Sequence, residues 1–98
     1  MRIIFGENVE VVDDRDLTRL EVCSRLSGEE LYLTFVSMAW LEPEGTEHVR
    51  ICPKSLLQLC PSNLDAEWRR QFDRMIELAK AHGYVNSKGW IRAHVSEN

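Results

Sequence analysis

The 98 residues give room for one domain with one hydrophobic core, and a composition of 44% hydrophobic and 29% charged residues excludes a disordered chain. The net charge of −4 divides into −7 for residues 1–49 and +3 for residues 50–98, so neither half is basic enough for non-specific binding to nucleic acid. The longest apolar run, residues 31–41, is too short to cross a bilayer, and the start of the chain is not typical of a signal peptide, so we expect one cytoplasmic domain (1–98) without a membrane segment.

The first quarter of the chain is predicted to form strands. Residues 2–5 and 9–12 are β-rich runs on either side of Gly6, a pattern typical of a tight hairpin or of one bulged strand. Residues 17–26 alternate between apolar and polar side chains, which indicates a half-buried strand. Residues 27–30 then predict a hairpin loop.

Residues 31–41 predict a strand that is apolar on both faces. A single sheet covered by one helix has only one dry face, so a second layer must cover the other. In a short chain we expect that layer to be a second copy, with the chain's own N-terminal segment or last strand as the alternative. Tyr, Met and Trp are residue types that interfaces favour. The predicted homodimer interface consists of Tyr32, Thr34, Val36, Met38 and Trp40.

A turn at residues 42–45 and a third strand of the meander at residues 46–52 follow, with Val49 and Ile51 predicted to face the core. Pro53 ends this strand and can begin a short helix over residues 54–60.

The strongest pattern in the chain predicts a long amphipathic helix at residues 65–82. Its apolar side chains recur at steps of three and four residues, and its charged side chains occupy the opposite face. Ser62 or Asn63 is the predicted N-cap, and Gly83 is the predicted left-handed residue after the helix. The predicted apolar stripe consists of Leu64, Trp68, Phe72, Met75, Ile76 and Ala79.

Residues 84–95 predict a hairpin, or a last strand that returns to the sheet. Together the elements predict an α+β fold. Its sheet is an antiparallel meander of three to five strands, and the long helix of the C-terminal half covers one face of that sheet.

No catalytic motif surrounds any candidate nucleophile or base. His94, with a glutamate across the sheet, is the best candidate for a general base. Cys52 and Cys60 with His82 and His94 match no spacing of structural zinc ligands, so we expect no metal and no cofactor. Three cysteines are an odd number without framework spacing and do not indicate a disulfide scaffold. Cys60, near the start of the long helix, is the most reactive candidate, and the roles of Cys23 and Cys52 stay open.

The tryptophans can either pack in a plain hydrophobic core or line a pocket between sheet and helix. A small apolar ligand would be expected there, with one histidine as the polar group. The predicted ligand-binding residues are Trp40, Trp68, Trp90 and His94.

We therefore predict a small binding or interaction module, homodimeric and without identifiable catalytic apparatus. The first alternative is a small-molecule-binding protein or small enzyme that uses the aromatic-lined pocket. The second is a winged-helix-like DNA binder formed by residues 54–95, with Arg69, Arg70 and Arg74 on the exposed helix face. Glu67 and Asp73 interrupt that basic face, which disfavours nucleic acid as a partner.

Overall fold

The computed structural model describes residues 1–6, 8–26 and 28–97. In these residues six strands and three helices form an α+β fold, and the strands build one sheet with the order β2-β1-β3-β6-β5-β4. The elements in chain order are β1 (Arg2–Phe5), β2 (Val9–Val12), β3 (Glu21–Ser24), α1 (Gly28–Val36), β4 (Leu41–Glu44), β5 (His48–Ile51), α2 (Pro53–Leu59), α3 (Ala66–Ala81) and β6 (Ile91–Glu97).

The sheet is mixed, so the predicted purely antiparallel meander is wrong. The pairs β1–β2, β5–β6 and β4–β5 are antiparallel, as in hairpins, but β3 pairs parallel with both β1 and β6. The strand β2 ends beside the start of β1, and the loop at residues 13–20 crosses from there to the other edge of β1. At that edge the Glu21 amide donates to the Met1 carbonyl at 3.2 Å. The strand β3 therefore runs in the same direction as β1. A pattern of alternating side chains cannot distinguish these two pairings.

The predicted strand at residues 31–41 is also wrong, because residues 28–36 form helix α1. Leu31 and Phe35 lie four residues apart and are the two buried side chains of this helix, while Glu29 and Glu30 occupy its positive N-terminal end. A mostly apolar run fits a strand with two dry faces and a helix equally well. The same helix replaces the predicted hairpin loop at residues 28–30, and Ser27 of that loop lies outside the described residues.

One face of the sheet carries the hydrophobic core. Ile3, Val22, Val49 and Ile51 are inward-facing strand residues without solvent exposure, and side chains of all three helices join them in one cluster. The predicted inward positions of the strand at residues 46–52 are thereby confirmed. The helices contribute Leu31, Phe35, Leu56, Trp68 and Phe72 to this cluster.

The opposite face of the sheet is polar, which contradicts the expectation that it is too apolar to remain in water. The strand register places one row of side chains across five neighbouring strands on this face. Charged and imidazole groups are well hydrated, so this face needs no second layer to cover it. The row consists of Arg2, Glu21, His94, His48 and Glu44.

The helix predicted at residues 65–82 is confirmed as α3, which has 16 residues. Its N-cap is Asp65, not Ser62 or Asn63: one carboxylate oxygen accepts from the Glu67 amide at 2.9 Å and from the Trp68 amide at 3.1 Å. Gly83 has a φ of +79° and follows the helix as predicted.

Two further predictions in the second half of the chain are confirmed. The short helix appears as α2, with Pro53 in its first turn, and the last strand returns to the sheet as β6. Between α3 and β6, Val85 forms an isolated bridge with Ile91. Within residues 1–6, 8–26 and 28–97, no helix combines the length and apolar character needed to span a membrane.

The apolar stripe of α3 gives a test of this packing, because Phe72 is buried and stacks on Trp68 whereas Leu64 is 95% exposed. We predict that Phe72→Ala lowers the free energy of unfolding by about 3–5 kcal/mol, since it leaves a cavity in the core. Leu64→Ala is the matched control and should change it by no more than about 0.5 kcal/mol. Urea unfolding followed by circular dichroism measures both values, and equal effects of the two substitutions would contradict the observed start of the helix.

Candidate functional site

The candidate site is a cleft of about 450 Å³ between helix α1, the β4–β5 hairpin and the end of β6. Its volume lies within the range of small-molecule sites, about 300–1,000 Å³. The apolar part of the lining comes from Leu31, Tyr32, Phe35, Pro43 and Val95.

Helix α1 forms one wall and is held there by aromatic packing. Phe35 meets the ring of Phe5 edge-on with the centroids 5.4 Å apart, and Trp40 stacks on the same Phe5 at 6.3 Å. Within the helix, the Thr34 hydroxyl donates to the Glu30 carbonyl at 2.9 Å. The contact of Phe35 with Phe5 fixes the side of α1 that faces the cleft.

The β4–β5 hairpin forms the opposite wall. Pro43 pairs with Val49, and Gly45 adopts a φ of +66° in the turn, a conformation that favours glycine. The Val95 amide donates to the Glu47 carbonyl at 2.7 Å, which ties this turn to β6. Both walls are therefore anchored to the sheet, and the cleft is preformed.

Polar groups stand at the rim of the cleft. Glu29 and Thr46 line it together with Tyr32, which is 55% exposed. His48 also borders the cleft, but its ring lies on the polar face of the sheet. The ring of His48 contacts that of His94 edge-on, with the centroids 5.5 Å apart. A small ligand in this cleft would meet an apolar floor and a few hydrogen-bonding groups at the entrance.

The predicted ligand-binding residues lie in four different places. Trp68 is buried in the core, where its indole N–H donates to the Asp14 carbonyl at 2.7 Å. Trp40 stacks on Phe5, and Trp90 lies under the Lys88 ammonium group, which is 5.1 Å from the ring centroid. His94 is exposed on the polar face of the sheet.

The five predicted interface residues lie on α1 and in the turn after it. Tyr32 and Val36 are more than half exposed, whereas Thr34 is half-buried. Met38 and Trp40 are half-buried against the core. Leu33, which is not among the five, is 56% exposed on the same helix as Tyr32 and Val36.

The lining residues that sequence reasoning missed are those that depend on α1 being a helix. In a strand, Leu31 and Tyr32 would point to opposite faces; in the helix both contribute to the cleft. The four-residue step from Leu31 to Phe35, after Glu29 and Glu30, was the signal for a helix start in this segment.

The general-base candidate His94 lies opposite Glu21 in the register of β3 and β6. The Glu21 carboxylate accepts from the Ser96 hydroxyl at 2.9 Å and from the Cys23 thiol at 3.4 Å. These hydrogen bonds, that of Ser96 above all, lower the pKa of Glu21. They stabilise the ionised carboxylate. They also engage the Ser96 hydroxyl and the Cys23 thiol, the two potential nucleophiles near His94, as hydrogen-bond donors.

The described residues form neither a cluster of metal ligands nor a continuous basic surface on α3 for nucleic acid. Among the described residues, no three His, Cys, Asp or Glu side chains are grouped so that they could hold a metal ion. Arg69, Arg70 and Arg74 are exposed on α3, but Arg70 forms an ion pair with Glu67, so the outer face of this helix carries both signs of charge.

The environment of Cys60 disagrees with the prediction that it is the most reactive cysteine. Cys60 ends α2, is buried, and donates from its thiol to the Leu56 carbonyl at 3.3 Å. Burial, together with the nearby Asp14 carboxylate, raises the pKa of Cys60 to about 11. For Cys52 burial is the largest single influence and acts in the same direction, but hydrogen bonds from Ser55 and Lys54 and the Lys54 charge together outweigh it and lower the pKa of this half-buried thiol.

We predict that Cys52 is the thiol that reacts first with a disulfide reagent at pH 8. A thiol with a pKa of about 11 is ionised in roughly one molecule in a thousand at that pH, and burial blocks access to it as well. Cys52→Ser should remove the fast phase of labelling by dithiobis(nitrobenzoate), and Cys60→Ser should leave it intact. A fast phase that survives in Cys52→Ser would contradict the assignment.

Comparison of the chain with protein-family models, with curated proteins and with solved structures finds no match in any of the three.

Proposed function

We propose that this protein is a binding module without catalytic apparatus, and that its ligand is a small molecule held in the cleft between α1 and the β4–β5 hairpin. The observation that carries the proposal is the cleft itself, a volume of about 450 Å³ with an apolar floor and a polar rim. The three free thiols are consistent with a cytoplasmic location, which we include in the proposal.

The lining supports binding rather than catalysis. His48 borders the cleft, but its ring lies on the polar face of the sheet against the His94 ring, and a catalytic histidine needs a group that orients it and a nucleophile within reach. The side chains of Phe35 and Val95, by contrast, offer apolar surface that a ligand can bury.

We predict that 2-phenylethanol, a neutral probe, binds in the cleft with a dissociation constant on the order of 1 mM, as expected for a ligand of this size. Titration followed by ¹H–¹⁵N NMR should shift the amide signals of Gly45, Thr46 and Val95. Val95→Trp should abolish these shifts because the larger ring fills the cleft.

Ile76→Trp is the matched control, since it adds the same ring in a groove between α2 and α3. Thermal unfolding of both variants confirms that they are folded. Shifts that map to the groove between α2 and α3, or that persist in Val95→Trp, would contradict the proposed site.

Self-association through the outer face of α1 is the second candidate function. Tyr32, Leu33 and Val36 are 55%, 56% and 56% exposed and adjacent on this helix, although large apolar side chains usually avoid water. Their combined surface is smaller than the roughly 800 Å² per partner of a standard interface. The proposed homodimer would therefore be weak and concentration-dependent.

We predict that the mass measured by light scattering after size-exclusion chromatography rises towards that of a dimer at high protein concentration. Val36→Asp should keep the chain monomeric, because it places a charge within the apolar contact. Leu78→Asp, at a 52% exposed position on α3, is the control and should leave the association unchanged. A native chain that stays monomeric throughout the range would refute self-association.

A further inference from the structure

The cleft lies in an acidic part of the chain. Residues 26–49, which supply every lining residue except Val95, contain five glutamates and no lysine or arginine. The ion pairs of the described residues engage Glu42 with Lys88 and Glu44 with Arg50. The charges of Glu29, Glu30 and Glu47 are left to act on the cleft and its surroundings.

One feature of the cleft favours a negatively charged ligand. The N-terminus of α1 lies at Gly28, which lines the cleft, and a helix N-terminus is equivalent to about half a positive charge. Glu29 and Glu30 lie in the first turn of the same helix and carry one full negative charge each. The local field is therefore negative in sum.

The aromatic lining is suited to a cation. The rings of Tyr32 and Phe35 both line the cleft, and the face of an aromatic ring attracts a positively charged group. Beside them, Leu31 and Val95 offer surface for an apolar body and have no polar side-chain atom to bind a charge.

We propose that the ligand of the cleft is a small organic cation, an amine or quaternary ammonium group carried on an aromatic or branched aliphatic body. This inference rests on the proposed ligand-binding function. The apolar body occupies the floor, and the cationic group lies at the rim between Tyr32 and Glu29.

Three probes with the same ring and different charge test the inference: 2-phenylethylamine, 2-phenylethanol and 3-phenylpropionate. Their dissociation constants are measured at pH 7 and low salt from the amide shifts of Gly45 and Thr46. The expected order of affinity is amine, then alcohol, then carboxylate. Because each exposed carboxylate contributes modestly, we expect the amine to bind about three- to tenfold more tightly than the alcohol.

Substitutions at the rim identify the groups responsible. Glu29→Gln should lower the ratio of amine to alcohol affinity by about twofold or more, whereas Glu67→Gln on α3 should leave it unchanged. Tyr32→Phe should retain the preference because it keeps the ring face, and Tyr32→Leu should reduce it. Added salt should also lower the ratio.

The results separate this inference from the proposed function. Equal affinity for amine and alcohol, or a preference for the carboxylate, would overturn the cationic ligand and leave the cleft as a binding site. Failure of all three probes to shift the cleft amides would overturn the proposed function and this inference with it.

Discussion

The pairing of strand β6 with two separate parts of the sheet is the interaction on which the rest of the structure depends. Residues Ile91 to His94 pair antiparallel with β5, and residues from His94 to Glu97 pair parallel with β3. The strands β2, β1 and β3 on one side and β5 and β4 on the other are joined through this single strand. The cleft depends on it too, because Val95 lines the floor and its amide holds the Glu47 carbonyl of the hairpin turn.

The β5–β6 pair also explains how the polar face of the sheet is tolerated. Its register sets Arg50 opposite Arg92, and like charges directly opposite each other are destabilising. Each guanidinium has its own partner: Arg50 forms an ion pair with Glu44 and donates to the Tyr84 carbonyl at 2.9 Å, and Arg92 lies 4.7 Å from the ring centroid of Tyr84. Glu44 of β4 and Tyr84 of the loop before β6 together offset an arrangement that the strand pairing alone would disfavour.

Sequence reasoning identified the elements whose pattern is set locally. The helix α3 has a clear 3.6-residue period and a glycine after its end, and Val49 and Ile51 alternate with polar neighbours, so each was predicted correctly. The predicted N-cap of α3 was wrong because Ser62, Asn63 and Asp65 are all suitable cap residues. Geometry alone shows that Asp65 accepts the amide hydrogen bonds.

The errors came from features that depend on distant parts of the chain. The segment from Leu31 to Leu41 is mostly apolar, and whether it pairs as a strand or packs as a helix depends on contacts such as that of Phe35 with Phe5. The parallel pairing of β3 depends on the path of the loop before it. The candidate cleft combines both features, so its lining could not be predicted without the fold.

The central place of β6 has a consequence for biosynthesis. Residues 91–97 leave the ribosome after the rest of the described chain, so the edges of β3 and β5 wait unpaired while the earlier strands are already complete. An unpaired edge is a template for any extended segment nearby, whether from the same polysome or from another nascent chain. The interval before the last strand inserts is therefore when this protein is most exposed to mispairing.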